Sequence, residues 1–245
     1  MGTQIKTKKI GQFHNSIEKL ELNARTLREN TLILGETGSG KTYLAEMIRE
    51  FVIENGIPTL YLDFSNPDEA QIEEKFKIPG HFHYMRFDES DAFNEAFDRA
   101  IQERKDIYMA VDPSFFSGHK EIRSKLSELL QKEILLEHYY YFMHVISAFE
   151  KFYQQFEDFI FYIFQLISMK RYGLTFLTQP NEIFENSLVK LLFSFLYLGH
   201  CSKAYYYNTA ILRSLPPYTF LYQERINHCT LTFSDIKTDT VTIFH

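Results

Sequence analysis

The segment Gly35-Glu36-Thr37-Gly38-Ser39-Gly40-Lys41-Thr42 constrains the fold more than any other part of this chain. It matches G-x-x-x-x-G-K-[ST] at every fixed position. The pattern has meaning only between a strand and a helix, and the flanking residues predict both. Thr31-Leu32-Ile33-Leu34 reads as a buried strand ending at Gly35. A helix is predicted from Lys41 to Asn55, because Leu44, Met47, Ile48, Phe51 and Val52 recur at helical spacing and Gly56 is a good residue to follow its end. Each residue type then has a physical task. Glycines let the backbone curl so that its N–H groups point inward at an anion, and the helix start presents the positive end of its dipole. Lys41 is predicted to reach the β- and γ-phosphates of a nucleotide, and the Thr42 hydroxyl to ligate Mg²⁺. The whole run Gly35, Glu36, Thr37, Gly38, Ser39, Gly40, Lys41 and Thr42 is the expected nucleotide-binding loop, with ATP and Mg²⁺ as its cofactors.

The remaining chain alternates short apolar runs with amphipathic helices, the pattern of an α/β protein with a mainly parallel sheet and helices on both faces. Strands are predicted at Thr59–Asp63, His81–Phe87, Ile107–Asp112, Tyr139–Ile146 and Gly173–Thr178, with shorter ones at 193–198, 204–207, 219–222 and 229–233. Asn66-Pro67 reads as a helix start. Further helices are predicted at 90–104, at 122–134 through Ile122, Leu126, Leu129, Leu130 and Ile134, and at 150–169. Pro216-Pro217 marks a turn.

Charge and cysteine usage narrow the setting. A net charge of −6 argues against a surface that binds nucleic acid all over. The first 28 residues are locally basic through Lys6, Lys8, Lys9, Lys19, Arg25 and Arg28, and are expected to form an N-terminal arm, either solvated or meeting DNA phosphate. Residues 29–245 are then expected to be one P-loop ATPase domain with a C-terminal β-hairpin. Cys201 and Cys229 are far apart and suggest neither a disulfide framework nor a zinc site. No signal peptide is recognisable. The most apolar stretch, Tyr139–Met169, is interrupted by Glu150, Lys151, Glu157 and Asp158, short of the about 18 uncharged residues a membrane span needs. A cytoplasmic protein is the expectation.

Hydrolysis needs an acid beside the metal and usually a second carboxylate to orient water. Acids at the C-terminal ends of buried strands face the ligand crevice in sheets of this kind. Asp63 and Asp112 both qualify, and the apolar run Ile107–Val111 leading into Asp112 makes it the stronger candidate, with a Mg²⁺ contact through water.

Three segments carry a family resemblance. Thr31–Thr42 (TLILGETGSGKT) resembles the phosphate loop of the HerA/FtsK superfamily of ring-shaped ATPases. Lys170–Pro180 (KRYGLTFLTQP) is similar to that family's strand ending in Thr-Gln, and Leu215–Leu221 (LPPYTFL) to its closing hairpin. The resemblance covers roughly residues 28–235. It implies a RecA-like P-loop NTPase fold, a γ-phosphate-sensing role for Gln179, a homo-oligomeric ring such as a hexamer, and double-stranded DNA as substrate. Family members often carry an N-terminal barrel or a membrane anchor. With about 30 residues before the first predicted strand, this chain is expected to be close to a bare motor core. One departure stands out. The family's acidic pair falls, by register, on Ser147 and Ala148, with Glu150 two residues beyond as the nearest substitute, and the family's Arg after Thr-Gln is replaced by Pro180. Loss of a positioned base costs about 10²–10⁴ in rate. Lys170 and Arg171 read as a solvated helix end, or as cations reaching a neighbouring subunit.

Other residues read as structural. His81 and His83 form a surface strand pair without a third ligand, His138 and His144 are core histidines, and the series Phe149, Phe152, Tyr153, Phe156, Phe159 and Ile160 is packing. Three functions fit the sequence: an ATP-driven DNA translocation, packaging or transfer motor; a nucleotide-binding structural or regulatory subunit with little hydrolysis; and a small-molecule kinase, for which no Arg-rich lid is visible.

Overall fold

A computed structural model describes residues 5–65, 83–88, 90–112, 120–145, 170–180, 192–202, 209–225 and 236–244. From the N-terminus the elements are β1 (Lys8–Phe13), β2 (Lys19–Leu22), β3 (Thr31–Leu34), α1 (Lys41–Glu54), β4 (Thr59–Asp63), β5 (His83–Arg86), α2 (Asp91–Gln102) and β6 (Ile107–Ala110). There follow α3 (Lys120–Leu130), α4 (Glu133–His138), β7 (Tyr140–Val145), β8 (Leu174–Thr178), β9 (Phe195–Leu198), α5 (Thr209–Ser214), β10 (Thr219–Arg225) and β11 (Ile236–Ile243). The chain divides into two compact units, Met1–Asn55 with Thr175–His245, and Gly56–Leu174, where one domain over 29–245 was expected.

In the first unit the strands lie in the order β2-β1-β11-β10-β9-β3-β8. β3 is parallel to both neighbours, β8 and β9, and all four of its residues are buried. A strand paired on both sides in a parallel arrangement has no wet face, which is why Thr31–Leu34 reads as an unbroken apolar run. Beyond β9 the pairing becomes antiparallel, through β10 and β11 to β1 and β2. The basic N-terminal segment is therefore not an arm. Ile10, Phe13, Leu20 and Leu22 are buried while Lys9 and Lys19 face outward, and β11 supplies the backbone partners of β1. Lys8 is held by Glu50 and Glu54 of α1 at 2.8 and 3.1 Å. Gly11 lets β1 approach closely: a Cβ there would stand 2.8 Å from the Thr242 carbonyl oxygen.

The second unit contains four parallel strands in the order β7-β4-β6-β5. Register places Tyr61 opposite both Tyr108 and Phe142, and the three rings stack across the strands with centroids 4.8 and 5.6 Å apart. Such pairs contribute about 0.5–1.5 kcal/mol each beyond burial. α2 buries Phe93, Phe97, Ala100 and Ile101 on the face its periodicity predicts, and Ser90 caps it by accepting from the Phe93 N–H.

The single helix expected over 122–134 is two. Lys132 leaves the helical conformation (ψ 127°) and Ile134 belongs to α4. The Lys132 ammonium bonds Asp98 and lies over the Phe97 ring of α2, which ties the break to a tertiary contact. The strand predicted to end at Asp112 ends at Ala110. The expected elements at Asn66-Pro67, 150–169, 204–207 and 229–233 lie outside the described residues.

Candidate functional site

The phosphate loop is built entirely within the first unit. β3 ends at Leu34, and α1 begins at Lys41 with Gly40 as its N-cap. Gly38 and Gly40 take φ values of 82° and 94°, the left-handed region where glycine carries no steric penalty. Gly35 is needed for close packing, because a Cβ there would stand 2.5 Å from the Ser39 hydroxyl. No side chain caps the start of α1, and no acid lies in its first turn. The positive end of the dipole of this 14-residue helix therefore lies at the loop, with a glycine as its N-cap.

Lys41 is buried, and its ammonium donates to the Glu36 carbonyl oxygen of its own loop at 2.9 Å. The Ser39 hydroxyl is buried without a hydrogen-bond partner among the described residues. Thr42 is half-buried on the first turn. Left-handed glycines at 38 and 40, the start of α1, a lysine folded over the loop and a buried hydroxyl without a partner among the described residues form a cradle that fits the anionic oxygens of a phosphate chain.

Neighbouring strand ends fix the loop. Gln179, directly after β8, donates from Nε2 to the Thr37 hydroxyl at 3.2 Å, and the Gly35 N–H donates to the Thr178 carbonyl. On the β9 side, the Glu36 N–H donates to the His200 carbonyl, and the Glu36 carboxylate accepts from the Ser202 N–H at 2.7 Å and from its hydroxyl. Tyr218, just before β10, donates its N–H to the Ser39 carbonyl at 3.1 Å. Tyr218 lies in the Leu215–Leu221 segment already singled out, whereas no motif signals the clamp from Ser202; both follow from β9 and β10 ending and starting at the edge where β3 ends.

The candidate acids belong to the second unit. Asp112 is half-buried, two residues beyond β6, a strand separated from β7 by β4. Asp63 ends β4 and is fully buried. It accepts from the Ser65 N–H and hydroxyl at 2.8 and 2.6 Å and from the Tyr108 hydroxyl, while His144 Nδ1 lies 3.1 and 3.2 Å from its two oxygens. Burial alone would push this carboxyl up, but the bonds from His144, Ser65 and Tyr108 outweigh it and hold the group well below the usual carboxylate range. His144 is thus more than core filling. Ser147, Ala148 and Glu150 lie outside the described residues.

Of Lys170 and Arg171 only Arg171 faces solvent, and the helix expected before them lies outside the described residues. The Lys170 ammonium is buried against the Tyr141 ring, and burial lowers its pKa. Arg171 is exposed, and its N–H donates to the Leu136 carbonyl. Both precede β8, at the opposite end of that strand from Gln179. His83 lies on β5, with His81 outside the described residues. Among the described residues no helix is long and apolar enough to cross a membrane.

No family model matches the sequence, and no curated protein matches it. The fold does have counterparts among solved structures: it is an α/β P-loop NTPase fold. The chain is similar to the pCW3 conjugation coupling protein TcpA in its monomer form with ATPγS (TM-score 0.53, 15% identity, 100% of this chain and 68% of that one). It is also similar to B204, the DNA-packaging ATPase of Sulfolobus turreted icosahedral virus (TM-score 0.50, 12% identity, 87% of this chain and 98% of that one). A third counterpart is the cytoplasmic domain of the Thermomonospora curvata type VII secretion ATPase EccC (TM-score 0.50, 14% identity, 98% of this chain and 26% of that one).

Proposed function

We propose that this chain binds ATP with Mg²⁺ at Gly35–Thr42 and works as an ATP-driven motor on double-stranded DNA, in packaging, transfer or translocation, as a homo-oligomeric ring. The observation that carries the reading is Lys41, the first residue of α1, folded back onto its own loop at the Glu36 carbonyl, where the buried Ser39 hydroxyl has no partner among the described residues. The nucleotide supplies a cleavable phosphoanhydride, with Mg²⁺ neutralising its charge. The chain's own part is to hold the phosphates with loop amides and Lys41, to bring Thr42 to the metal, and to offer the Gln179 amide at the Thr37 side of the loop. The likeness in fold to a packaging ATPase and a conjugation coupling protein supports DNA as the substrate.

A second reading, a nucleotide-dependent structural subunit with little turnover, is favoured by one observation: Ser147 and Ala148 follow β7 where the family's acids stand. Steady-state ATP hydrolysis with Mg²⁺, with and without double-stranded DNA and with Lys41→Ala as the blank, separates the two. Turnover above the blank that rises with DNA is the expected result. Asp112→Asn and Glu150→Gln then identify the acid in use, by a loss of about 10²-fold or more in turnover with ATP still bound. Tight ATP binding with no turnover would replace the motor by the structural subunit. Turnover that ignores DNA would remove DNA as the substrate.

A further inference from the structure

The strand order in the first unit puts two different side chains on opposite flanks of the phosphate loop. Gln179 follows β8, on one side of β3. On the other side β9 is parallel to β3, and β10 runs back antiparallel to β9, with Leu34 opposite Leu198 and Leu198 opposite Leu221. β10 therefore starts at the edge where β3 ends, and Tyr218, the residue before it, sits against the loop. Its ring comes so close that a Cβ on Gly40 would stand 2.8 Å from the ring's Cδ1. The ring also meets Tyr43 edge to face, with centroids 5.6 Å apart and planes at 82°. Tyr43 is exposed on the first turn of α1, directly after Thr42.

The backbone gives a second reason to single out Tyr218. Its φ is 60°, and only one other non-glycine residue, Arg104, shares a positive φ among the described residues. The Thr219 N–H donates to the Pro216 carbonyl at 3.2 Å, so Pro217 and Tyr218 are the central pair of a tight turn. Glycine or asparagine suits the second of those positions best. The turn geometry thus gives no reason for a large aromatic side chain there; the surroundings of the ring do.

We propose that Tyr218, with Tyr43 at its edge, is the base-recognition surface of this loop, on which the purine of a bound nucleotide packs. The inference rests on the reading of Gly35–Thr42 as a nucleotide site. The phosphate chain then crosses the loop from the Gln179 flank to the tyrosine flank, with its terminal phosphate at the Gln179 side and its base at Tyr218. Every base has a π-face, so an aromatic platform without a charged or amide partner selects for a base over none and discriminates weakly between ATP and GTP.

The test is calorimetric titration of the full chain with Mg²⁺ and, in turn, ATP, GTP and inorganic tripolyphosphate. Tyr218→Asn keeps a residue that accepts the left-handed backbone while removing the ring. It should weaken ATP and GTP by about tenfold or more and leave tripolyphosphate unchanged, whereas Tyr218→Phe should keep the wild-type values. Lys41→Ala should weaken all three ligands. Equal weakening of ATP and tripolyphosphate in Tyr218→Asn would overturn the proposal, since it would mean that the ring acts only by packing against the phosphate loop at Gly40. Unchanged ATP affinity would overturn it too. Wild-type protein that binds neither ATP nor tripolyphosphate would overturn the nucleotide reading itself. Photolabelling of the wild type with 8-azido-ATP removes any dependence on a variant's folding: label on the peptide spanning 209–225 supports the proposal, and label confined elsewhere refutes it.

Discussion

Replacing Asp63 with alanine tests whether the buried carboxylate at the end of β4 acts as a lock for the second unit. The side chain is 0% exposed and holds donors from three residues: the Ser65 N–H and hydroxyl, the Tyr108 hydroxyl and His144 Nδ1. Tyr108 is fully buried, so its hydroxyl cannot turn to water when the acceptor goes. Removing a buried carboxylate leaves its donors unpaired, at a cost of about 1.5–3 kcal/mol for bonds to a charged group. The lower end is expected here, because half-buried Ser65 can turn to solvent and His144 is 13% exposed. The sign of the pH effect follows from the depressed carboxyl. Its contribution is fully present above the unfolded pKa of about 3.9 and is lost as pH falls below that value toward the folded one. In urea unfolding followed by far-UV circular dichroism, the deficit of Asp63→Ala should be level from pH 7 to pH 5 and narrow below about pH 4. A deficit under about 1 kcal/mol at pH 7 would refute the lock. So would one that stays level down to the acid limit of folding.

Two glycine comparisons test the packing. Gly38 and Gly40 both hold positive φ, but a Cβ on Gly38 meets nothing within 4 Å while one on Gly40 meets the Tyr218 ring at 2.8 Å and its Cα at 3.2 Å. Thermal unfolding should therefore show Gly38→Ala losing about 1–2 kcal/mol of stability and Gly40→Ala about 1–3 kcal/mol more, and the reverse order would contradict the contact. Gly11→Ala should force β1 away from Thr242, costing about 1–3 kcal/mol, with faster amide hydrogen exchange at Phe244, whose N–H donates to the Ile10 carbonyl, as its local signature. Unchanged exchange there would mean that β1 does not pair with β11 as described.

Much of the fold could be read because local signals were strong. β3, α1, β4, α2 and β8 are either unbroken apolar runs or helices with a clean apolar face, and their bounds fall within two residues or so of expectation. The strands that escaped notice, β1, β2 and β11, are half polar. Lys-Lys-Ile-Gly-Gln-Phe and Ile-Lys-Thr-Asp-Thr-Val-Thr-Ile alternate weakly, and each becomes a strand only because the other lies alongside or is one strand away. That pairing joins opposite ends of the chain, and so does the unit built from Met1–Asn55 and Thr175–His245. No local pattern encodes a partner that distant; the edge β2 is similarly defined by β1 alone. The break between α3 and α4 escaped for the same reason, since Lys132 departs from the helix toward Asp98 and Phe97 of α2.

The site divides along the same line. A phosphate loop is legible because its chemistry requires fixed residue types at fixed spacing within one turn of chain, and Gly38, Gly40 and Lys41 take up conformations suited to that task. An acid at a strand end carries no such signature. Asp63 and Asp112 look alike in sequence, each closing an apolar run, yet the first has its carboxylate enclosed by donors that stand 45 and 81 residues away at Tyr108 and His144. A carboxylate so enclosed has little capacity left to orient a water molecule, which argues for a structural task at Asp63. The feature that separates the two fates is register. In the parallel order β7-β4-β6 the residues at equal height on adjacent strands become neighbours, and His144 stands directly opposite Asp63. Once strand order is known, that neighbour can be named from the sequence; before it is known, only the longer apolar run ahead of Asp112 ranks one acid above the other.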